Sequence, residues 1–438
     1  MNRLRYVGYA TIAAFLLMFI VACTSESEEV IPLSYVYSEA GEIVPPMAYT
    51  PVNNENNEVI YSVPAEETYY PEDEYVLATV SPEDEAFEYW LSQMTIEQRI
   101  GQIFMLRLPW QTTYVNTRVE NLFASVPAGG AILFSDNVTS ATQVRTLTAD
   151  IQALSPHSPM LISIDEEGGR VSRAGRLFAE GITPAAYDIG RRSTSEAYDI
   201  GKTIGEELVG LGLNVNFAPV ADIWSNPENA VIGNRAFGRT AEVVSPMVAA
   251  TVEGLQDGGV MATLKHFPGH GDTYEDSHFQ SAVHHHGWER WLEMESQPFI
   301  SGINAGVGGV MIAHVATPAI GGHSPVLDWM QPWIDSGGLP ATLSDFWLQE
   351  VLRGQLGFEG LIITDALDMR ALTDHFTCGQ IALGAFLAGA DILLIPLNPQ
   401  EAFDAMLDGY QTGVFDEARL NESLRRIFDA HATRYSTS

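Results

Sequence analysis

A parallel (β/α)8 barrel is the fold this sequence predicts. Three observations carry the prediction: eight short apolar runs with strand character, helical-period stretches between most of them, and six polar residues gathered at the same end of these runs.

The chain opens with an address rather than with the fold. Arg3 and Arg5 precede an apolar run from Tyr6 to Ala22, the layout of a secretory signal. Ile20-Val21-Ala22-Cys23 closes the run and resembles a bacterial lipobox, which implies cleavage before Cys23 and lipid modification of that cysteine. The competing reading, an uncleaved membrane helix, is a little short of the roughly 20 residues a bilayer needs. Residues 1–22 are therefore expected to be a lipoprotein signal peptide, with the rest of the protein outside the cytoplasm and held to a membrane through Cys23. Residues 23–80 carry many acids, seven prolines with Pro82 counted, and no Lys or Arg until Arg99. So little apolar surface does not offset ordering entropy, and a disordered acidic tether is expected.

Folded sequence is expected over 81–432, with 433–438 as a tail. Ser81-Pro82-Glu83-Asp84 marks a helix start, and Thr95-Ile96-Glu97-Gln98 reads as a capping box. The strand-like runs follow at Phe104 to Leu106, Gly130 to Phe134, Met160 to Ile164, Asn214 to Phe217, Val260 to Leu264, Gly309 to Ile312, Leu361 to Ile363 and Ile392 to Ile395. Helical periodicity covers Ala141 to Ala153, Ser193 to Leu211, Val243 to Gln256 and Thr377 to Ala388. A doubly wound sheet competes, but eight runs favour the barrel.

Asp165, Asn216, Lys265, His266, His314 and Asp365 each stand at the C-terminal end of an apolar run. One such residue is commonly a cap or turn former, whereas in a barrel six would converge on the face where active sites form. Asp365, in Ile363-Thr364-Asp365, is a candidate nucleophile on an anomeric carbon or a cap for the next helix. After Lys265-His266-Phe267-Pro268-Gly269-His270-Gly271 the proline and glycines force an irregular loop, in which Asp276 stands two residues before His278 and is close enough to orient its ring.

Composition removes other classes. With 56 acidic and 22 basic residues, net charge −34, there is no basic stripe for nucleic acid, and the acidity reads as a solvated surface. Cys23 and Cys378 build no disulfide framework, and Cys378 reads as a packed thiol. His284-His285-His286 reads as a solvated turn, since three consecutive side chains do not face one ion from a regular element and no other ligand spacing accompanies them.

Asp165-Glu166-Glu167-Gly168-Gly169-Arg170-Val171-Ser172-Arg173, Ile232-Gly233-Asn234-Arg235-Ala236-Phe237-Gly238, the Lys265–Gly271 segment and Ile363-Thr364-Asp365 together resemble glycoside hydrolase family three. Asp276-Ser277-His278 resembles its β-N-acetylglucosaminidase branch. The resemblance runs from about residue 85 to 432 with every motif in order. It implies Asp365 as nucleophile, His278 as general acid/base and Asp276 as its partner. It implies that Asp165, Arg173, Arg235, Lys265 and His266 hold the N-acetylglucosamine, with His270 structuring the loop. Retaining glycosidases ordinarily use two carboxylates about 5 Å apart, a rule that would direct the search to a second Glu. A histidine titrating near pH 6.5 beside a carboxylate serves the same two proton transfers.

No cofactor or metal is implied, and a monomer is expected. Nothing after the barrel resembles a second α/β domain, which disfavours branches that take their acid/base carboxylate from one. The expected reaction is retaining hydrolysis of terminal, non-reducing β-linked N-acetylglucosamine. Peptidoglycan fragments are the preferred substrate, with chitooligosaccharides second. A phosphorylase of the same branch and a non-catalytic glycan-binding lipoprotein remain as alternatives.

Overall fold

The computed structural model describes residues 81–275 and 282–435, with side chains as far as 432, and four short strands nearer the N-terminus. Cys23, Asp276 and His278 lie outside the described residues. The chain divides into two units, 1–86 and 87–438. In the first, Val36–Tyr37 pairs antiparallel with Ile43–Val44, and Thr50–Asn53 with Val59–Ser62. Composition alone gave these segments no regular structure. The Val, Ile and Tyr of these segments favour strands.

Eight strands form the second unit's sheet: β1 (Phe104–Arg107), β2 (Gly130–Leu133), β3 (Leu161–Ile164), β4 (Val215–Asn216), β5 (Met261–Phe267), β6 (Gly309–Ile312), β7 (Leu361–Thr364) and β8 (Leu393–Leu394). They pair in parallel in chain order from β1 to β7, and β8 returns to pair with β1. An Ile363–Ile392 bridge, with Thr364 N donating to Ile392 O at 3.0 Å, joins β7 to β8 and nearly closes the ring. A doubly wound sheet would reverse its order and keep two edges, so the barrel is the architecture.

Every expected strand exists; only Gly309–Ile312 keeps both its ends, and two of the shifts bear on the site. β5 runs on to Phe267, so Lys265 and His266 stand within the strand rather than beyond it. The strand at Asn214–Phe217 shortens to Val215–Asn216, after which the chain rejoins the sheet through a Val220–Lys265 bridge. The expected helices appear at Ala141–Gln152, Thr194–Val209, Ala241–Asp257 and Cys378–Ala388, and Thr95 and Gln98 form the capping box. The second and third of these pack closely: a Cβ on Gly254 would lie 2.2 Å from the Tyr198 carbonyl oxygen. No helix among the described residues is long and apolar enough to cross a membrane.

At the N-terminal end of β8 the fully buried Asp391 carboxylate ties the barrel floor together. It accepts from Arg353 Nη2 at 2.6 Å, Ile362 N at 2.9 Å, Ser423 Oγ at 2.8 Å and Arg426 Nη1 at 3.0 Å. In this fold that end serves stability, and the other end carries chemistry.

Candidate active site

A cavity of about 210 Å³ opens at the C-terminal ends of the strands. Its wall includes Phe134 after β2, Asp165 and Glu167 after β3, Phe217 after β4, Lys265 and His266 on β5, Asp365 after β7 and Ile395 after β8. Thus Asp165, Arg173, Arg235, Lys265, His266 and Asp365, singled out by sequence, all reach one cavity.

Charge runs through it as a ladder. Lys265 Nζ donates to Asp165 Oδ1 at 2.6 Å and lies 2.7 Å from Glu167 Oε1. Arg235 grips Glu167 with two bonds, Nε to Oε2 and Nη2 to Oε1, both 2.8 Å. The same Arg235 Nη2 stands 3.2 Å from His266 Nε2, and His266 Nδ1 stands 2.6 Å from Asp222 Oδ2. An arginine only donates, so Nε2 accepts and the His266 proton is assigned to Nδ1, facing the Asp222 carboxylate.

Burial by itself would raise the Glu167 carboxyl, but Arg235 and Lys265 hold it well below the ordinary carboxylate range. Burial works against the Lys265 ammonium too, and Asp165 and Glu167 outweigh it, keeping Lys265 above its usual value. Asp222 follows the same pattern, with the His266 ring lowering it against its burial. The rungs are therefore fixed hydrogen-bonding groups, already desolvated and suited to a polyhydroxylated ligand.

Asp365 is only 8% exposed, and its Oδ1 accepts from Ala366 N at 2.7 Å. The cap reading fails, because the next helix, Arg370–Thr373, has Met369 at its N-cap; the adjacent Ala366 N–H instead orients one Asp365 oxygen at the cavity wall.

Two strand-end residues do not line the cavity. Asn216 is buried and clamps the Glu166 backbone, accepting from its N and donating to its O, both at 3.0 Å. His314 is buried too, with Nδ1 2.7 Å from Thr342 Oγ1 and Nε2 2.9 Å from Ala366 O, bracing the turn that presents Asp365. His270 structures its loop, donating its N–H to Asp222 Oδ1 at 2.6 Å, and also lines the cavity; burial pushes its ring below the usual histidine value. The solvated turn needs one correction, because His284 is 1% exposed. Ala282–Val283 pairs with Val315–Ala316 and carries the next residue inward. Among the described residues no group of three metal-ligating side chains forms.

Glu167 and Asp222 are the members of this charged network that sequence reasoning left without roles. Alternation along an extended segment puts Asp165 and Glu167 on one side and Glu166 on the other, where its Oε2 accepts from the backbone of Arg173, Ala174 and Gly175. Asp222 ends the apolar stretch Ala218-Pro219-Val220-Ala221, repeating the signal used at the other strand ends.

The comparisons agree with this geometry. Residues 95–430 match the glycosyl hydrolase family 3 N-terminal domain. A beta-hexosaminidase from Hydrogenovibrio crunogenus is 35% identical over 338 residues, covering 74% of this chain and 88% of that protein. Beta-hexosaminidase A from Pseudoalteromonas piscicida is 34% identical over 367 residues, 76% of this chain but 60% of that protein. Among solved structures, a family 3 beta-N-acetylglucosaminidase from Paenibacillus sp. str. FPU-7 superposes with a TM-score of 0.72 at 36% identity, covering 79% of this chain and 64% of that one. The chain thus spans less than two thirds of the second and third of these proteins. With the family match over most of the chain, the ring of eight strands and the charged cavity at their C-terminal ends, this protein belongs to glycosyl hydrolase family 3.

Proposed function

We propose that the protein is a β-N-acetylhexosaminidase that releases terminal, non-reducing β-linked N-acetylglucosamine with retention of configuration. One observation carries the reading: Asp365 faces a cavity walled by the Asp165–Lys265–Glu167–Arg235–His266 ladder. Such a cavity holds one sugar ring by its hydroxyls and sets a carboxylate at its anomeric carbon. The names of the two curated relatives and of the solved structure support the same activity.

The first step forms a bond between an Asp365 oxygen and C1 as the glycosidic C1–O bond breaks, and protonated His278 gives its proton to the leaving oxygen. In the second step neutral His278 takes a proton from water, the water oxygen bonds to C1, and the Asp365 ester bond breaks. Asp276 orients the ring and favours its protonated form before the first step. The roles of Asp276 and His278 rest on the sequence motif.

The N-terminal layout supports lipid anchoring at Cys23 and therefore substrates outside the cytoplasm, with peptidoglycan fragments first and chitooligosaccharides second. Cys23→Ala should move the protein from the membrane to the soluble fraction. An aryl N-acetylglucosaminide tests the activity: the wild type should cleave it and Asp365→Asn should not. Equal turnover by both would end the proposal, and acceleration by phosphate with release of sugar 1-phosphate would replace hydrolysis with phosphorolysis.

A further inference from the structure

Ile395, directly after β8, adopts the left-handed backbone region with φ 49°. Glycine suits that region and asparagine tolerates it, whereas a β-branched side chain there crowds its own backbone. Pro396 follows and disfavours helical backbone at the residue before it. Such a conformation persists only where its surroundings enforce it, and residues of this kind gather at functional sites.

The enforcing contacts lie at the seam where the barrel closes. Leu394 N donates to Thr364 Oγ1 at 3.0 Å, and Leu394 O accepts from Leu367 N at 2.8 Å, so β8 grips the turn around Asp365 from both sides. Ile395 N then donates to Met105 O on β1 at 2.9 Å. Successive side chains of a strand point to opposite faces, yet Leu394 and Ile395 both line the cavity. The left-handed backbone at Ile395 brings the second of them inward. In the ring of strands β8 stands opposite β4, so this pair looks across the cavity at the ladder, whose members come from β5 and the segments after β3 and β4. Together with Ile132 on β2, the pair makes one side of the cavity apolar where the other is charged. A pyranose divides in the same way, with hydroxyls around its edge and C–H groups on its faces.

We propose that Ile395 is a substrate-binding residue for the terminal sugar: its side chain packs on the C–H face of the ring turned away from the ladder, and the left-handed backbone is what places it there. The proposal rests on the hydrolase reading above and adds to it an apolar contact opposite the charged one.

Three variants separate the contact from the strain. On an aryl N-acetylglucosaminide, Ile395→Val, one methylene shorter, should raise KM about fourfold, and Ile395→Ala and Ile395→Gly about tenfold or more. The inhibition constant of free N-acetylglucosamine should rise in step. Thermal scans read the backbone: Ile395→Gly should melt above Ile395→Ala, reversing the usual order of the two residues, because only glycine accepts the positive φ without crowding. An isoleucine that only filled space would lower Tm in both and leave KM and the inhibition constant alone. Both constants within about twofold of wild type in Ile395→Gly, or Ile395→Ala melting at or above Ile395→Gly, overturns the proposal and leaves the hydrolase reading intact. Where the two smaller variants do not fold, Ile395→Val decides, unchanged constants counting against the contact. If the wild type cleaves nothing, the hydrolase reading fails instead. Calorimetric binding of N-acetylglucosamine to wild type and Ile395→Val then still decides the contact, equal affinities overturning it.

Discussion

Glu167→Gln removes the central anion of the ladder while keeping its shape. In the wild type the Glu167 carboxylate, only 3% exposed, binds Arg235 by two contacts of 2.8 Å and Lys265 by one of 2.7 Å. The amide would leave both cations buried with one partner fewer and turn N–H groups toward other donors. Breaking a buried pair from one side costs about 3–5 kcal/mol. For a domain of about 340 residues, unfolding entropy near 2.1 cal/mol/K per residue converts this to a Tm loss of about 4–7 °C. The pH dependence sharpens the test. Because the folded Glu167 carboxyl is held well below its unfolded value near 4.3, its contribution is present above about pH 4.3 and is lost as pH falls toward the folded value. Wild type and variant should therefore differ most in thermal scans at pH 6–7 and converge as the scans move to acid. A variant within about 1 °C of wild type at pH 7, or an equal gap at every pH, would refute the ladder's energetics.

Asp222→Asn should loosen His266 and the His270 backbone, raising KM for an aryl N-acetylglucosaminide about tenfold or more, since a bond to a charged group is worth about 1.5–3 kcal/mol; steady-state kinetics checks it. His278→Ala should lower kcat/KM about 10²- to 10⁴-fold on a poor leaving group and much less on a dinitrophenyl leaving group, which departs without a proton. Asp391→Ala should cost about 3–5 kcal/mol in denaturant titrations, leaving Arg353 and Arg426 unpaired on the barrel floor, with KM unchanged.

The barrel was legible because its signal is local: each apolar run is a strand, and chain order is also spatial order. Strand ends were less legible, since β5 continues through two polar residues whose side chains are paid for by partners far along the chain. Lys265 meets Asp165, 100 residues away, and His266 meets Asp222, 44 residues away. That distance also hid Asp222 and Glu167: a run of three acids does not announce which member turns inward until the arginine and lysine it faces are in place. Asn216 and His314 looked equivalent to the cavity residues in sequence. Their amide and imidazole instead satisfy neighbouring backbone groups, which only the packed structure reveals.

The central claim is that Asp365 bonds covalently to the sugar. Rapid acid quenching of wild-type protein turning over a dinitrophenyl N-acetylglucosaminide, followed by peptide mass analysis, tests it directly. The account predicts the mass of one N-acetylhexosaminyl group on the peptide that contains Asp365, and none in Asp365→Asn. A label on another carboxylate, or turnover by Asp365→Asn equal to wild type, would contradict it.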